Sequence, residues 1–266
     1  MILSRRVMPS RAHRPHRRVE RRALMVAVGV AAALGVALAG CSGSEDKAET
    51  TEPMVRAGDC FGKDDTEPID CSERHLAQTI FVSDTAPARG TAALKPCRGA
   101  QAGYLGQDFN SRLDVRLWVA GDGSWYRCDL VLRNSTQGGS GYATMIGSLE
   151  GAFRTGVPLY LRACLDAPYD PLLDQEYVSC SEPHRSREIT VAPAIGTLDE
   201  PFPGDVSKRA ISACNATATS GDELGSGRRV DAYYPENVDA WESGERTADC
   251  WLSVKRGRLP AVSPGS

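Results

Sequence analysis

Cys71-Ser72-Glu73-Arg74-His75 and Cys180-Ser181-Glu182-Pro183-His184 are the two stretches that decide the fold. Both have the pattern Cys-Ser-Glu-x-His, and each begins at the second cysteine of a run of four. The two runs are Cys60, Cys71, Cys97 and Cys128, and then Cys164, Cys180, Cys214 and Cys250. The same features follow in the same order after each motif, which indicates a tandem duplication.

The secondary-structure pattern is similar in the two copies. Each is predicted to have strands after its motif and around its fourth cysteine, and an alanine-rich helix around its third. The predicted strands are His75–Ser83, Leu113–Val119, Trp125–Arg133, His184–Ala192 and Arg246–Lys255, and the predicted helices are Thr91–Leu105 and Val206–Ala218. Pro96 places the start of the first helix near it, or a kink there. The fold class is therefore α+β: two tandem small disulfide-stapled domains, each an antiparallel sheet with one main helix.

The first forty residues are typical of an export signal. They carry eight arginines against one acid, and an apolar run from Ala23 to Ala39 leads to Leu38-Ala39-Gly40-Cys41. This ending resembles the bacterial lipobox, in which the cysteine receives diacylglycerol and the leader is cut just before it. We expect residues 1–40 to be a lipoprotein signal peptide and Cys41 to hold the chain on the outer face of the plasma membrane. An uncleaved transmembrane helix and plain secretion are the alternatives.

Composition separates the remaining chain into segments. Residues 41–55 are polar and acidic and predict a flexible tether. The two copies are assigned to 56–152 and 157–256, with the boundary in the Gly/Ser/Thr-rich segment 134–156, and 257–266 is expected to be a frayed tail. The whole chain has a net charge of −3, and without the +7 of residues 1–40 it is −10. Such an acidic surface argues against a nucleic-acid partner.

The eight cysteines after Cys41 are expected to form disulfides, because an exported protein meets an oxidising compartment. Four cysteines allow three pairings per copy, and we favour first-to-second and third-to-fourth. The favoured pairs are Cys60–Cys71, Cys97–Cys128, Cys164–Cys180 and Cys214–Cys250. No Cys-x2-Cys pair is present in the sequence, so we expect neither a zinc site nor any other metal or cofactor.

The chain resembles the septum-formation family of actinobacterial envelope proteins. The family pattern begins Gly-Asp-Cys, continues with Cys-Ser-x-Pro-His, and ends with Pro-x-x-x-x-Trp before a final cysteine. The matching segments are Gly58-Asp59-Cys60-Phe61, Cys180-Ser181-Glu182-Pro183-His184, and Pro235 to Trp241 followed by Cys250, the last with five intervening residues where the pattern has four. Arg74 and Arg162-Ala163-Cys164 depart from the pattern. The resemblance covers about residues 56–256, implies exported or membrane-anchored domains linked to septation, and brings no catalytic residues.

Candidate site residues are few, and each has a structural interpretation. His75 and His184 could contact a partner or act as bases, but a role in holding the turn beside a disulfide is favoured. Trp118 and Trp241 could form a binding surface with these histidines, although core packing is the simpler interpretation. Asp64-Asp65 and Asp239 with Glu242 could suggest a carboxylate pair, and we interpret them as solvated acidic faces.

The sequence therefore predicts no catalytic residues and no enzyme activity. It favours a lipid-anchored binding or scaffold module of the cell envelope, with envelope proteins, division proteins or peptidoglycan as partners. One alternative is a cell-wall-modifying hydrolase with its site between the copies, which requires a cleft holding both histidines or a cluster of carboxylates. The other is a small-molecule-binding lipoprotein, which requires a hinged cavity between two lobes.

Overall fold

An antiparallel sheet of six strands forms the first half of the chain. The computed structural model describes residues 55–220, 225 and 227–263; the predicted leader, Cys41 and nearly all of the predicted tether lie outside them. The strands are β1 (Cys60–Phe61), β2 (Pro68–Ile69), β3 (Ala77–Ser83), β4 (Leu113–Val119), β5 (Tyr126–Arg133) and β6 (Tyr142–Ala143). Their order is β2-β1-β3-β5-β4, and β6 pairs with β5.

Alternation of side chains in β4 and β5 gives this sheet one apolar face. Val115 lies opposite Leu130 in the ladder, and both are buried. The helix α1 (Lys95–Leu105) covers this face and is joined to β5 by the Cys97–Cys128 disulfide. Pro96 lies in the first turn of α1, as predicted, because proline needs no hydrogen-bonded N–H there.

The glycine-rich segment 134–156 belongs to the first core. It contains β6, and its Met145 forms a backbone bridge with His75. Leu149 and Phe153 are buried in the first core, and so is Leu161 beyond them. The first core therefore extends past the boundary suggested by composition, because apolar side chains spaced among the glycines still pack.

A second antiparallel sheet follows, with strands in the order β7-β8-β10-β9. Its elements are β7 (Cys164–Leu165), β8 (Ser186–Ile189), α2 (Val206–Ser220), β9 (Arg228–Tyr233), α3 (Val238–Glu242) and β10 (Asp249–Val254). The helix α2 covers one face and is joined to β10 by the Cys214–Cys250 disulfide. The order β1-β3-β5-β4 in the first sheet has the same pattern of pairing.

The structure contains four disulfides, and they are the pairs favoured from the sequence. The short pairs, Cys60–Cys71 and Cys164–Cys180, close the loops that follow β1 and β7. The longer pairs join the main helix of each half to its central strand. The predicted α+β class with antiparallel sheets is confirmed, and both sheets belong to one compact unit.

Two local features of the second half differ from the expected elements. The strand expected over 184–192 ends at Ile189, because the chain then turns to the first half, where Thr190 accepts a hydrogen bond from the Asn110 amide at 2.8 Å. The short helix α3 was not predicted; the Asn237 side chain caps it by accepting from the Ala240 amide at 2.9 Å.

The segment expected to be a frayed tail is packed as far as the structure describes it. Leu259 is buried in the second core and forms a backbone bridge with His184. Val262 is buried beside Cys180, to whose carbonyl its amide donates at 2.8 Å. Apolar side chains therefore outweigh the neighbouring Pro, Ser and Gly residues. Among the described residues, no helix has the length and apolar character that crossing a membrane requires.

Candidate functional site

The two motif histidines are buried and hold their turns. His75 and His184 are both 0% exposed. Their Nδ1 atoms donate to the carbonyls of Glu73 at 3.0 Å and Glu182 at 2.8 Å. This equivalent geometry fits the favoured structural interpretation, and it leaves neither imidazole accessible to a ligand.

The two tryptophans do not join the histidines in one surface. Trp241 is buried in the second core, where its Nε1 donates to the Glu200 carbonyl and Arg246 lies over its ring at 4.0 Å. Trp118 is partly exposed and packs against Trp125 with ring centroids 5.1 Å apart. Three of the four residues proposed as a possible binding surface are therefore buried.

A different place in the molecule has the shape of a binding site. A cavity of about 800 Å³ lies between the two halves, lined by β4 and β5 of the first sheet, by β8, β9 and β10 of the second, and by α1. None of the described carboxylates singled out from the sequence (Asp64, Asp65, Asp239 and Glu242) contributes to its lining.

The second sheet supplies the acidic and aromatic wall. Asp249 and Trp251 alternate with Cys250, so they lie on the face opposite α2. In the ladder Trp251 is opposite Glu188, and Asp249 is opposite Tyr233. A further tyrosine, Tyr169, stacks on Trp251 with ring centroids 4.6 Å apart and the planes 1° from parallel.

The opposite wall comes from the first sheet and is fixed to the second by hydrogen bonds. Asp114 and Arg133 face the cavity from β4 and β5. Asn110 donates through Nδ2 to the carbonyls of Ile189 at 3.3 Å and Ala248 at 3.1 Å. Arg98 of α1 pairs with Glu245 at 2.7 Å. These bonds set the width of the cavity.

A second set of hydrogen bonds crosses the seam, that is, the boundary between the two halves of the chain, at segments 134–136 and 174–177. The Thr136 amide donates to the Gln175 carbonyl at 2.9 Å, and the Tyr177 amide donates to the Asn134 carbonyl at 2.9 Å. A third contact joins the Ser135 hydroxyl to the Asp174 carboxylate at 3.0 Å. The two halves are thus connected on more than one side of the cavity.

Burial controls the electrostatics of the acidic wall. It raises the pKa of Glu188 well above its usual range, and the nearby Asp249 adds to the effect. Burial also raises the pKa of Asp249 to about 6, against the opposing influence of Arg133. Within the described part of the chain, neither carboxylate forms a side-chain hydrogen bond or an ion pair.

The described residues contain no group of three or more His, Cys, Asp or Glu side chains placed to hold a metal ion. Arg133 lies within electrostatic reach of Glu188 and Asp249. The site combines two carboxylates without a side-chain hydrogen bond or ion pair, the nearby guanidinium of Arg133, and aromatic rings.

Comparison with known proteins gives a family. A family model described as Septum formation matches residues 84–250, which is more than half of the chain. The chain belongs to the septum-formation family. The matched region runs from just after β3 to Cys250 and so includes parts of both sheets and most of the cavity. Comparison with curated proteins and with solved structures gave no match.

The carboxylates of this septum-formation family site were missed from the sequence. Glu188 lies within the predicted strand 184–192, and Asp249 directly precedes a disulfide cysteine. The usable signal was the run Asp249 to Ser253, in which polar Asp249 and Ser253 alternate with the core residues Cys250 and Leu252. Alternation of this kind marks one polar sheet face, and it gives no information on what covers that face.

Proposed function

We propose that this septum-formation protein is an exported envelope protein that binds peptidoglycan in the cavity between its two sheets without cleaving it. The lipidated Cys41 would hold it on the outer face of the plasma membrane. The family links the chain to septation. The observation that carries the binding role is the cavity itself, since its volume of about 800 Å³ is in the range that holds a small ligand.

The lining supports a ligand made of sugar and peptide parts. Aromatic rings such as Tyr177 and Tyr233 offer apolar faces with a hydroxyl at the edge. Amide side chains such as Gln101 and Asn237 offer both hydrogen-bond donors and acceptors. A concave site of this kind favours a glycan strand end or peptide stem over the broad surface of a folded division protein.

A cell-wall hydrolase is the second candidate, because the cavity does contain carboxylates with raised pKa values. Glycoside hydrolysis requires one carboxylic acid that is protonated and one carboxylate that is ionised. Environments that separate the pKa values of two groups produce that arrangement. Here burial raises the pKa of Glu188 well above its usual range and that of Asp249 to about 6, so Glu188 would be the acid and Asp249 the ionised carboxylate of such an enzyme.

A hinged small-molecule-binding lipoprotein has less support. Alternating opening and closing of two lobes needs a seam that can separate. The bonds of Asn110 to the second sheet, the Arg98–Glu245 pair and the backbone contacts of segment 134–136 with segment 175–177 all cross that seam. They favour a cavity with fixed walls.

The binding role can be tested with soluble peptidoglycan fragments. Isothermal titration with the purified full chain in detergent should give saturable binding, and Asp249→Asn should weaken it. Glu182→Gln is the matched control, because Glu182 is an exposed carboxylate outside the cavity. Mass spectrometry of the same mixtures should recover intact fragments. Absence of binding would disprove the proposal, and cleavage that Glu188→Gln abolishes would establish the hydrolase instead.

The anchor has its own test. Cys41→Ser should move the protein from the membrane fraction to the soluble fraction of the cell envelope, because no thiol remains to carry lipid. Mass spectrometry of the N-terminal peptide from membranes should show a modified Cys41 and no residues before it. An unmodified Cys41 still joined to Gly40 would contradict lipid anchoring.

A further inference from the structure

The charges around the inner cavity are unbalanced. The carboxylates of Asp114, Glu188 and Asp249 lie within electrostatic reach of the Arg133 guanidinium, and Arg98 also acts on Asp249. The other two arginines of the lining are already occupied. Arg98 is paired with Glu245, and Arg246 donates to backbone carbonyls, including that of Thr197 at 2.7 Å. The inner wall therefore has room for additional positive charge.

Glu188 shows the imbalance most clearly. Its side chain is 7% exposed, lines the cavity, and has no hydrogen-bond or ion-pair partner among the residues that the structure describes. A buried carboxylate without a partner is unfavourable, because it loses water and gains nothing in return. A cation that enters the cavity would supply the missing partner.

The surroundings of Glu188 favour an organic cation. Trp251 is its direct neighbour in the ladder, and Tyr169 stacks on that ring. Aromatic faces attract ammonium groups, and an ammonium has three N–H donors for carboxylate oxygens. An anionic ligand would instead meet the carboxylates of Asp114, Glu188 and Asp249.

We infer that the ligand of this cavity presents a primary ammonium group, which binds against Glu188 and Asp249 beside the Tyr169–Trp251 stack. The inference rests on the proposed function and names the chemical group that is recognised. In a peptidoglycan fragment this group would be a free amine of the peptide stem. Binding forms two charge-assisted contacts and breaks no covalent bond.

Two pairs of probes test the inference on the full chain in detergent. The first pair is 1,6-diaminohexane and its neutral N,N′-diacetyl derivative. The second is a soluble peptidoglycan fragment with a free stem amine and the same fragment acetylated at that amine. Acetylation should weaken binding at least tenfold in both pairs. Glu188→Gln should remove this preference, and Glu182→Gln should leave it unchanged.

Proton release is an independent readout. At pH 6 a bound ammonium should lower the pKa of Asp249, which burial raises to about 6, so binding should release protons. Titrations in buffers of different ionisation enthalpy detect that release. It should become smaller in Asp249→Asn, because Glu188, whose pKa burial also raises, remains to release a proton.

The outcomes separate the two proposals. Equal binding of the free and acetylated members of both pairs would overturn the ammonium inference, even if the fragments bind well. Binding of the diamine but of neither fragment would support the ammonium inference and overturn the peptidoglycan role. Failure of both the diamine and the free-amine fragment to bind would overturn both.

Discussion

The polar faces of the two sheets share one backbone plan and differ in what covers them. Arg127 precedes Cys128 in β5, and Asp249 precedes Cys250 in β10, so the two residues occupy equivalent positions. Arg127 is buried, pairs with Asp129 at 3.1 Å and lies over the Phe61 ring at 3.6 Å. Asp249 has no such partner among the described residues.

The loops after β1 and β7 explain the difference. Four residues beyond Phe61, Asp65 reaches over the first sheet and pairs with Arg127 at 3.1 Å. Four residues beyond Leu165, the equivalent residue is Tyr169, which stacks on Trp251. The first face is therefore closed by paired charges, whereas the second leaves its carboxylates facing a cavity. Residues that lower stability in this way commonly mark a functional site.

The largest expected losses of stability follow removal of the disulfide that joins the main helix to a strand in each half. Replacing Cys97 and Cys128 together by alanine should lower the free energy of unfolding by about 4 kcal/mol, and so should replacing Cys214 and Cys250, on the loop-entropy model. The loops span 31 and 36 residues. Urea denaturation measures the change.

The short disulfide Cys60–Cys71, with a separation of 11 residues, is the graded control and should cost about 3 kcal/mol when removed. If one of the long disulfides could be removed without loss, the shared plan would not describe that half.

The next largest expected loss of stability concerns the paired charges on the polar face of the first sheet. Asp129→Asn should destabilise the protein by about 3 kcal/mol, because it leaves Arg127 buried with one of its two carboxylate partners lost. Thermal and urea unfolding both report the loss. The exposed Asp84→Asn is the control and should stay within about 0.5 kcal/mol of the parent chain. A neutral Asp129→Asn would mean that the charge pairs do not stabilise this face.

The sequence could predict the shared plan and could not predict this contrast. The cysteine spacing and the motif histidines indicated the longer strands around the motifs and fourth cysteines, the main helix of each half and the disulfides, because these features repeat along the chain. The contrast depends on Asp65 and Tyr169, two loop residues with no motif of their own. Which loop covers which face is a tertiary property, so Glu188 and Asp249 appeared as ordinary polar strand residues. The seam through Asn110 joins residues more than seventy positions apart and left no local signal.

On the polar face of the second sheet, we expect a substitution to increase stability. Asp249→Asn should raise the free energy of unfolding at pH 8 by about 3 kcal/mol in the absence of ligand. The folded-state pKa of Asp249 is about 6 and its ordinary value is 3.8, so the ionised carboxylate destabilises the fold above pH 6. The gain should shrink as the pH falls through 6 and be absent near pH 3.8.

Unfolding curves of the parent chain and of Asp249→Asn, recorded at several pH values, measure this gain and its pH dependence. Glu182→Gln, an exposed carboxylate, is the control and should show no such pH-dependent gain. A loss of stability in Asp249→Asn at pH 8 would mean that Asp249 has a stabilising partner, and the contrast between the two faces would fail.

The smallest expected effect is the contribution of His184 to the pH dependence of the free energy of unfolding. Its sign is opposite to that of the Asp249 contribution. Burial lowers the pKa of His184 below 6.5, with Arg187 and Arg258 acting in the same direction and the Glu182 carbonyl opposing them. The unfolded chain then binds the proton more tightly, so this histidine lowers the free energy of unfolding as the pH falls below 6.5.

As the pH falls over the same interval, protonation of Asp249 raises the free energy of unfolding. The parent chain therefore shows only the sum of the two contributions. The difference between the parent chain and His184→Gln isolates the histidine, and its slope with pH should be opposite in sign to the difference measured for Asp249→Asn. Glu182→Gln keeps the backbone carbonyl that accepts from His184 and should follow the parent chain. If both differences changed with pH in the same direction, the ionised Asp249 carboxylate would not be a destabilising charge in the cavity wall.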